Sequence, residues 1–411
     1  MVNKHMTSGR DAARAQISGP DPADCVPRTL VILGATGSIG RSTAQILELH
    51  PDRFRVAAVA GGRDAEALAR TAVALDAAFA ALADASRYAE LKAALAGTGI
   101  ECAAGPEAVS EAARRPCDLV IGAIAGTAGM MPTFAAIEAG RLIALANKET
   151  LVCAGDAVMA AVARHGARLL PLDSEHNAIF QALGDTDWTT IERMTLTASG
   201  GPFRNWSAEQ IAAATLDQAL AHPNWSMGPK VTIDSAGLIN KGLELIEAHY
   251  LFGVAAERLD VVVHPQSVVH GLVSFADGSV TAGLALPDMR VPIAHCLTYP
   301  HRIESGARKL DLAVVGTLTF DKPDLDRFPG LRIAMDALRE GRGLPTVFNA
   351  ANEIAVDGFV ARRIGFSDIA RIVEQVCDAA LADGTASTPA GIADALAVDH
   401  VARERAAALL H

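Results

Sequence analysis

The 411-residue chain is poor in positive charge, with 36 Lys and Arg against 47 Asp and Glu and a formal net charge of −11. Neutralising a nucleic-acid backbone takes a clustered excess of cations, so a general nucleic-acid binder is excluded. A small anionic substrate is not, because one phosphate needs only a few local cations. Cysteine is sparse too: the six, at 25, 102, 117, 153, 296 and 377, form no CxxC and no pair at metal-ligand spacing. That usage predicts a reduced, cytoplasmic protein. The chain has no internal repeat. Its first 27 residues mix charges, hold three prolines and lack the apolar stretch of a signal peptide, which predicts a flexible N-terminal extension. Only Leu119–Ile137, uncharged for 19 residues, approaches membrane length. Its glycines, threonines and Pro132 predict instead a buried strand, a small-residue loop and a helix opening at Pro132, so no membrane partner is expected.

What is present is apolar material, 50% of residues against 20% charged, enough to bury sizeable cores. From Thr29 to Ala146 short apolar runs alternate with Ala-rich, charged-faced segments. Thr29–Leu33, Phe54–Val59, Leu119–Ile124, Leu142–Ala146 and Arg168–Leu172 read as strands, with helices such as Ser42–Leu49 and Ala65–Leu75 between them. This is a βαβ alternation, which predicts a parallel sheet covered by helices. The middle of the chain has strand candidates at Met194–Thr197, Val261–Val263, Val268–Phe275 and Val280–Leu286, with an Asp277-Gly278 turn, and predicts an antiparallel α+β section. The last 80 residues read as helices. One is expected after an N-cap at Ser367, with an apolar stripe at Ile369, Ile372, Val373, Val376, Cys377, Ala380 and Leu381, closed by Gly384.

Gly34-Ala-Thr-Gly37-Ser-Ile-Gly40 follows the first strand and opens a helix. Glycines there let the backbone turn tightly against a pyrophosphate, which the helix N-terminus stabilises. The GxxGxxG spacing is less specific than GxGxxG, and ordinary strand–turn–helix packing also uses it; the flanking context favours a dinucleotide. The second strand ends in Ala60-Gly61-Gly62-Arg63, with a cation where an NAD site places an acid, so NADPH is the better match.

Asp173-Ser174-Glu175-His176 begins where a strand ends, and in extended backbone Asp173 and Glu175 point to one side, towards a shared hard cation. Alone, a solvated acidic turn explains that motif as well. Farther on, a helix beginning near Ser235 would put Asn240, Lys241 and Glu244 on one face, suited to a phosphate and a metal oxygen. The segment 222–228, with His222, Trp225 and Met227 among turn formers, suits a lid, and by composition a structural loop almost equally. Asn147-Lys148-Glu149 and Ser199-Gly200-Gly201-Pro202 also end strands, where they can line a ligand crevice or offer amides to an anion. His264, His270, Asn349 and Asn352 read as structural.

In order along the chain, GATGSIG, ALANKE, LPLDSEHNAIFQ, ASGGPFR, HPNWSMG, NKGLE, HPQSVVHG, PDMRVPIAH and FNAANEIAV resemble segments of the 1-deoxy-D-xylulose 5-phosphate reductoisomerase family. The resemblance starts near Arg28 and runs to the C-terminal helices. It implies an α/β Rossmann-type NADPH-binding domain (28–173), an α+β catalytic and dimerisation domain (174–299), a linker (300–325) and a C-terminal α-helical bundle (326–411). It also implies a homodimer that turns 1-deoxy-D-xylulose 5-phosphate into 2-C-methyl-D-erythritol 4-phosphate, a committed step towards isoprenoids by the non-mevalonate route. By the resemblance, Asp173, Glu175 and Glu244 hold Mg²⁺ or Mn²⁺. Ser199, Ser235, Asn240 and Lys241 hold the phosphate end of the substrate. Lys148, Ser174, Glu175 and His222 contact the rest of it, under a lid bearing Trp225 and Met227. Thr36, Gly37, Ser38, Ile39, Gly61, Gly62, Arg63, Asn147, Glu149 and Gly228 line the NADPH. The chain departs from the family pattern at Gly62-Arg63, where Lys-Asn is frequent, and at Gly237-Leu238-Ile239, where Thr-Met-Met is common.

Overall fold

The computed structural model describes residues 27–184, 186–225 and 227–410, so nearly all of the expected N-terminal extension lies outside the described residues. The chain divides into two compact units. The first takes in the chain up to Thr150, then Val158–Asn177 and Asp288–Arg308. The second takes in Leu151–Ala157, Ala178–Pro287 and the chain from Lys309.

The first unit is built on a seven-stranded sheet. Its strands are β1 (Arg28–Leu33), β2 (Phe54–Gly61), β3 (Phe79–Leu82), β4 (Glu101–Ala104), β5 (Leu119–Gly122), β6 (Leu142–Leu145) and β7 (Arg168–Pro171). They run in the order β4-β3-β2-β1-β5-β6-β7, and every pairing is parallel. Leu30 to Ile32 and Leu119 to Ile121 are fully buried, as expected of central parallel strands covered on both faces. The order reverses between β1 and β5, which opens a crevice at their carboxyl ends. β3 and β4 escape the sequence reading because FAAL and ECAA are short and alanine-rich, a composition with little strand preference. β5 stops at Gly122, earlier than expected, and the next helix, Met130–Glu138, starts two residues before Pro132.

In the second unit, β8 (Ile191–Ala198), β9 (Leu259–Val263), β10 (Val269–Phe275) and β11 (Val280–Leu284) form a sheet in the order β11-β10-β8-β9. β10 is antiparallel to both neighbours, with the expected turn at Gly278 (φ +86°). β8 and β9 are parallel, against the antiparallel expectation. The reason is the long helical connection between them, a crossover that returns the chain in the same direction. Its helices are Ala208–Ala212, Leu216–Leu220, Pro229–Ala236 and Ile239–Phe252. Beyond the sheet come Pro329–Glu340, Leu344–Val360, Phe366–Ala382 and Ile392–Ala408, with Leu344–Val360 packed against the last two. Helix Phe366–Ala382 is capped by Gly365, whose N–H donates to Asp368, so Ser367 lies inside the helix. The expected stripe is buried through Ala380, while Leu381 faces solvent at 39% exposure. Among the described residues no helix is long and apolar enough to cross a membrane.

Candidate active site

In the first unit the glycine turn sits at the switch point. Gly34 has φ +86°, and a Cβ there would lie 2.4 Å from the Ala123 carbonyl oxygen. At Gly40 a Cβ would lie 2.3 Å from Ala35 O, so glycine is what lets helix Ser38–Leu49 approach the turn. Gly37 caps that helix in extended backbone with no side chain bonded to its first amides. This is the cradle a pyrophosphate fits. Arg63, after the end of β2, is 83% exposed, and its Nε donates to Asp84 Oδ2 at 3.0 Å.

After β6, Asn147 Nδ2 donates to Ile124 O (2.5 Å), Gly126 O (2.8 Å) and Glu149 Oε2 (3.1 Å). Its Oδ1 accepts the Thr150 amide at 3.0 Å. The Asn147 side chain therefore ties the loop after β5 to the start of helix Glu149–His165. Lys148 Nζ meets Asp173 Oδ2 at 2.6 Å, in an ion pair only 10% and 16% exposed. Ser174 Oγ donates to Glu175 Oε2 at 2.5 Å. The turn bearing these acids is pinned by Asn177, whose Nδ2 donates to Pro171 O (2.8 Å) and His295 Nδ1 (3.1 Å). Burial, with a contribution from Arg302, lowers the His295 pKa to about 4, so the imidazole is neutral and can accept. Composition and spacing gave no sign of the Asn177–His295 pair, whose partners lie far apart in sequence.

In the second unit Ser199 follows β8. Gly201 (φ +65°) brings this turn so close to helix Pro229–Ala236 that a Cβ would lie 2.7 Å from Ser235 O. His222 Nδ1 accepts the Asn224 and Trp225 amides at 3.1 and 3.0 Å. Burial holds His222 below the ordinary histidine range, so the neutral ring carries its proton on Nε2. That N–H donates to Ser199 Oγ at 3.0 Å, and the Gly201 amide donates to the same oxygen at 3.1 Å. With its lone pairs engaged, the Ser199 hydroxyl is set to donate its own hydrogen to an anion. Asn224 Nδ2 anchors the loop to Pro265 O (2.7 Å) and Ser267 Oγ (2.9 Å), and Trp225 stands edge-on to His270 at 5.9 Å.

The single helix expected from Ser235 is two helices, Pro229–Ala236 and Ile239–Phe252. Leu238, at φ +58°, breaks the chain between them. Ser235 is therefore on a separate element from the other three residues, and its Oγ donates to Val231 O at 2.9 Å. Asn240, Lys241 and Glu244 do share one face, as expected. Asn240 Nδ2 donates to Glu244 Oε1 at 2.5 Å, and Lys241 pairs with Glu244 Oε2, with side chains only 4% and 1% exposed. His264 and His270 bond backbone atoms, Thr319 O and Val268 N for the first and Ala285 O for the second, in keeping with structural roles.

A parallel sheet with a glycine turn at its switch point, in one chain with an α+β unit that buries the Lys241–Glu244 pair, is the architecture of a dinucleotide-binding α/β protein. Family models narrow this. The 1-deoxy-D-xylulose 5-phosphate reductoisomerase model matches residues 30–155. Models of that protein's C-terminal domains match 169–252 and 284–405. The chain is 56% identical to the 1-deoxy-D-xylulose 5-phosphate reductoisomerase of Bradyrhizobium diazoefficiens over 93% of its own length and 94% of the relative's. A solved reductoisomerase of Zymomonas mobilis in complex with NADPH is 47% identical, with TM-score 0.88 and coverage of 94% and 99% of the two chains. A further solved reductoisomerase, in complex with NADPH, fosmidomycin and magnesium, is 43% identical, with TM-score 0.89 and coverage of 93% and 98%. The chain belongs to the 1-deoxy-D-xylulose 5-phosphate reductoisomerase family.

Proposed function

We propose that the protein converts 1-deoxy-D-xylulose 5-phosphate into 2-C-methyl-D-erythritol 4-phosphate with NADPH and a divalent ion, Mg²⁺ or Mn²⁺, on the way to isoprenoid precursors. The observation that carries this is the likeness to a curated reductoisomerase over 93% of this chain and 94% of the other. The division of labour we assign gives residues 28–173 to NADPH, 174–299 to catalysis and dimer contacts, 300–325 to a connection and 326–411 to the helical region.

Asp173, Glu175 and Glu244 are our assigned ion ligands, an all-oxygen set of the kind Mg²⁺ and Mn²⁺ prefer. When bound, the ion lends Lewis acidity to an α-hydroxyketone whose carbon skeleton rearranges, and NADPH lends hydride to the resulting aldehyde. Ser199, Ser235, Asn240 and Lys241 grip the phosphate, and that remote binding energy orients the reacting end. Lys148, Ser174 and His222 contact the rest of the substrate, and the neutral His222 ring also holds the Ser199 hydroxyl through Nε2. Trp225 and Met227, on the loop before Gly228, close over the substrate and exclude water. The cradle at Gly34 and Gly40 suits the pyrophosphate of NADPH, and we assign Thr36, Gly37, Ser38, Ile39, Gly61, Gly62, Asn147, Glu149 and Gly228 to the cofactor. Arg63 is assigned to the 2′-phosphate; Arg63→Ala should narrow the preference for NADPH over NADH.

The test is NADPH absorbance loss on adding the sugar phosphate, with metal and then with chelator. Consumption needing both sugar phosphate and metal is expected. Consumption that survives exhaustive chelation would indicate a metal-independent dehydrogenase instead. We also propose a cytoplasmic homodimer. β11 is a sheet edge carrying exposed Val280 (56%) and Leu284 (40%), the kind of edge natural proteins cover. Light scattering on the eluted protein decides between dimer and monomer.

A further inference from the structure

Asp234 precedes Ser235 on helix Pro229–Ala236, and its side chain is 1% exposed. Its Oδ1 accepts from Asn352 Nδ2 at 2.9 Å, and its Oδ2 lies 2.8 Å from Lys230 Nζ, one turn back. Asn352 is itself fully buried on Leu344–Val360, and among the described residues its Oδ1 has no hydrogen-bond partner. Turning the amide over would not relieve that oxygen, because the flip sets it against the carboxylate. A buried charge and an orphaned oxygen both cost stability, and an apolar pair of equal volume would avoid both. The arrangement therefore calls for a reason other than holding the fold together.

The surroundings supply one. Helix Pro229–Ala236 is a short piece with a turn at each end: Gly228 at its N-cap, after the loop bearing His222 and Trp225, and Leu238 at φ +58° beyond its end. A small, mostly apolar cleft of about 50 Å³, lined by Ile233, Asp234, Gly237, Ile239, Arg327 and Phe366, lies behind it. Side chains on that side are therefore not close-packed against the helix along its whole length. The Asn352–Asp234 hydrogen bond is directional where the packing is not.

We infer that Asp234 and Asn352 are positioning residues that fix helix 229–236 and so aim Ser235 at the phosphate of the substrate, an inference that rests on the site reading above. Asp234 touches no substrate in this role; it acts through the helix. Lys230 completes the clamp from the side of the lid loop.

The test is steady-state kinetics of the full chain with Mg²⁺, NADPH and 1-deoxy-D-xylulose 5-phosphate. For Asp234→Asn the KM for the sugar phosphate should rise about tenfold, with kcat within about threefold and the KM for NADPH unchanged. The exchange Asp234→Asn with Asn352→Asp rebuilds the amide–carboxylate bond and should recover most of that loss. Inhibition by inorganic phosphate should weaken in parallel with the KM. A lowered Tm with an unchanged sugar-phosphate KM would overturn the inference and leave a merely structural pair. Should Asp234→Asn fail to fold, Lys230→Gln, at a partly exposed position, carries the test. An unchanged KM in Lys230→Gln then overturns the inference, and a raised one supports it. Wild-type protein that turns over no sugar phosphate would instead sink the parent reading.

Discussion

The Nε2–H of His222 donates to Ser199 Oγ across 3.0 Å, while two backbone amides occupy Nδ1 of the same ring. The tautomer is thus set by backbone amides of the loop after His222, and the ring holds the serine hydroxyl. Loop conformation and hydroxyl orientation are linked through one imidazole.

Ser199→Ala removes a donor to the phosphate and leaves a half-buried imidazole N–H without its acceptor. Losing a hydrogen bond to a charged group costs about 1.5–3 kcal/mol, roughly ten- to a hundredfold in kcat/KM for the sugar phosphate. NADPH affinity should not move. Initial rates against both substrates separate the two; an equal loss for NADPH would contradict the assignment.

Glu244→Gln keeps the volume of a side chain that is 1% exposed but removes its charge. Turnover should vanish while NADPH still binds with wild-type affinity, because the glycine cradle is built from other residues. Fluorescence titration with NADPH and a turnover assay check the two halves, and normal turnover would end the metal assignment.

Gly34→Ala forces a Cβ to within 2.4 Å of the Ala123 carbonyl at φ +86°. Strain of this kind costs on the order of 1–3 kcal/mol before any clash is counted. A lower Tm and a loss of NADPH affinity are expected together, by thermal melts with and without cofactor. Retention of both would mean the turn has room that its geometry denies.

Acid sensitivity should trace partly to His295. Its pKa is about 4 in the fold against an ordinary 6.5, so the unfolded chain binds the proton first. The stability this neutral ring contributes is fully present above pH 6.5 and is lost as the pH falls towards 4, by up to about 3 kcal/mol. Urea unfolding at pH 7 and pH 5 should show a smaller drop for His295→Gln than for wild type.

Much of the architecture was legible because burial has a period. Apolar runs with glycine and helix between them dictate a parallel sheet. The loop at Gly34 announces itself, since only glycine tolerates φ +86° beside a carbonyl. Helical spacing likewise put Asn240, Lys241 and Glu244 on one face, where the structure has them. What tertiary structure decided is whatever depends on partners distant in sequence. At the break that separates Ser235 from Asn240 the left-handed residue is Leu238 and not its neighbour Gly237, so residue type does not mark the conformation. The parallel pairing of β8 with β9 depends on where a long helical crossover returns. His222 is neutral because burial lowers its pKa, and Asp234 is held by Asn352 from a helix more than a hundred residues away. Sequence determines which groups can act; packing determines which of them meet, at what charge and pointing where.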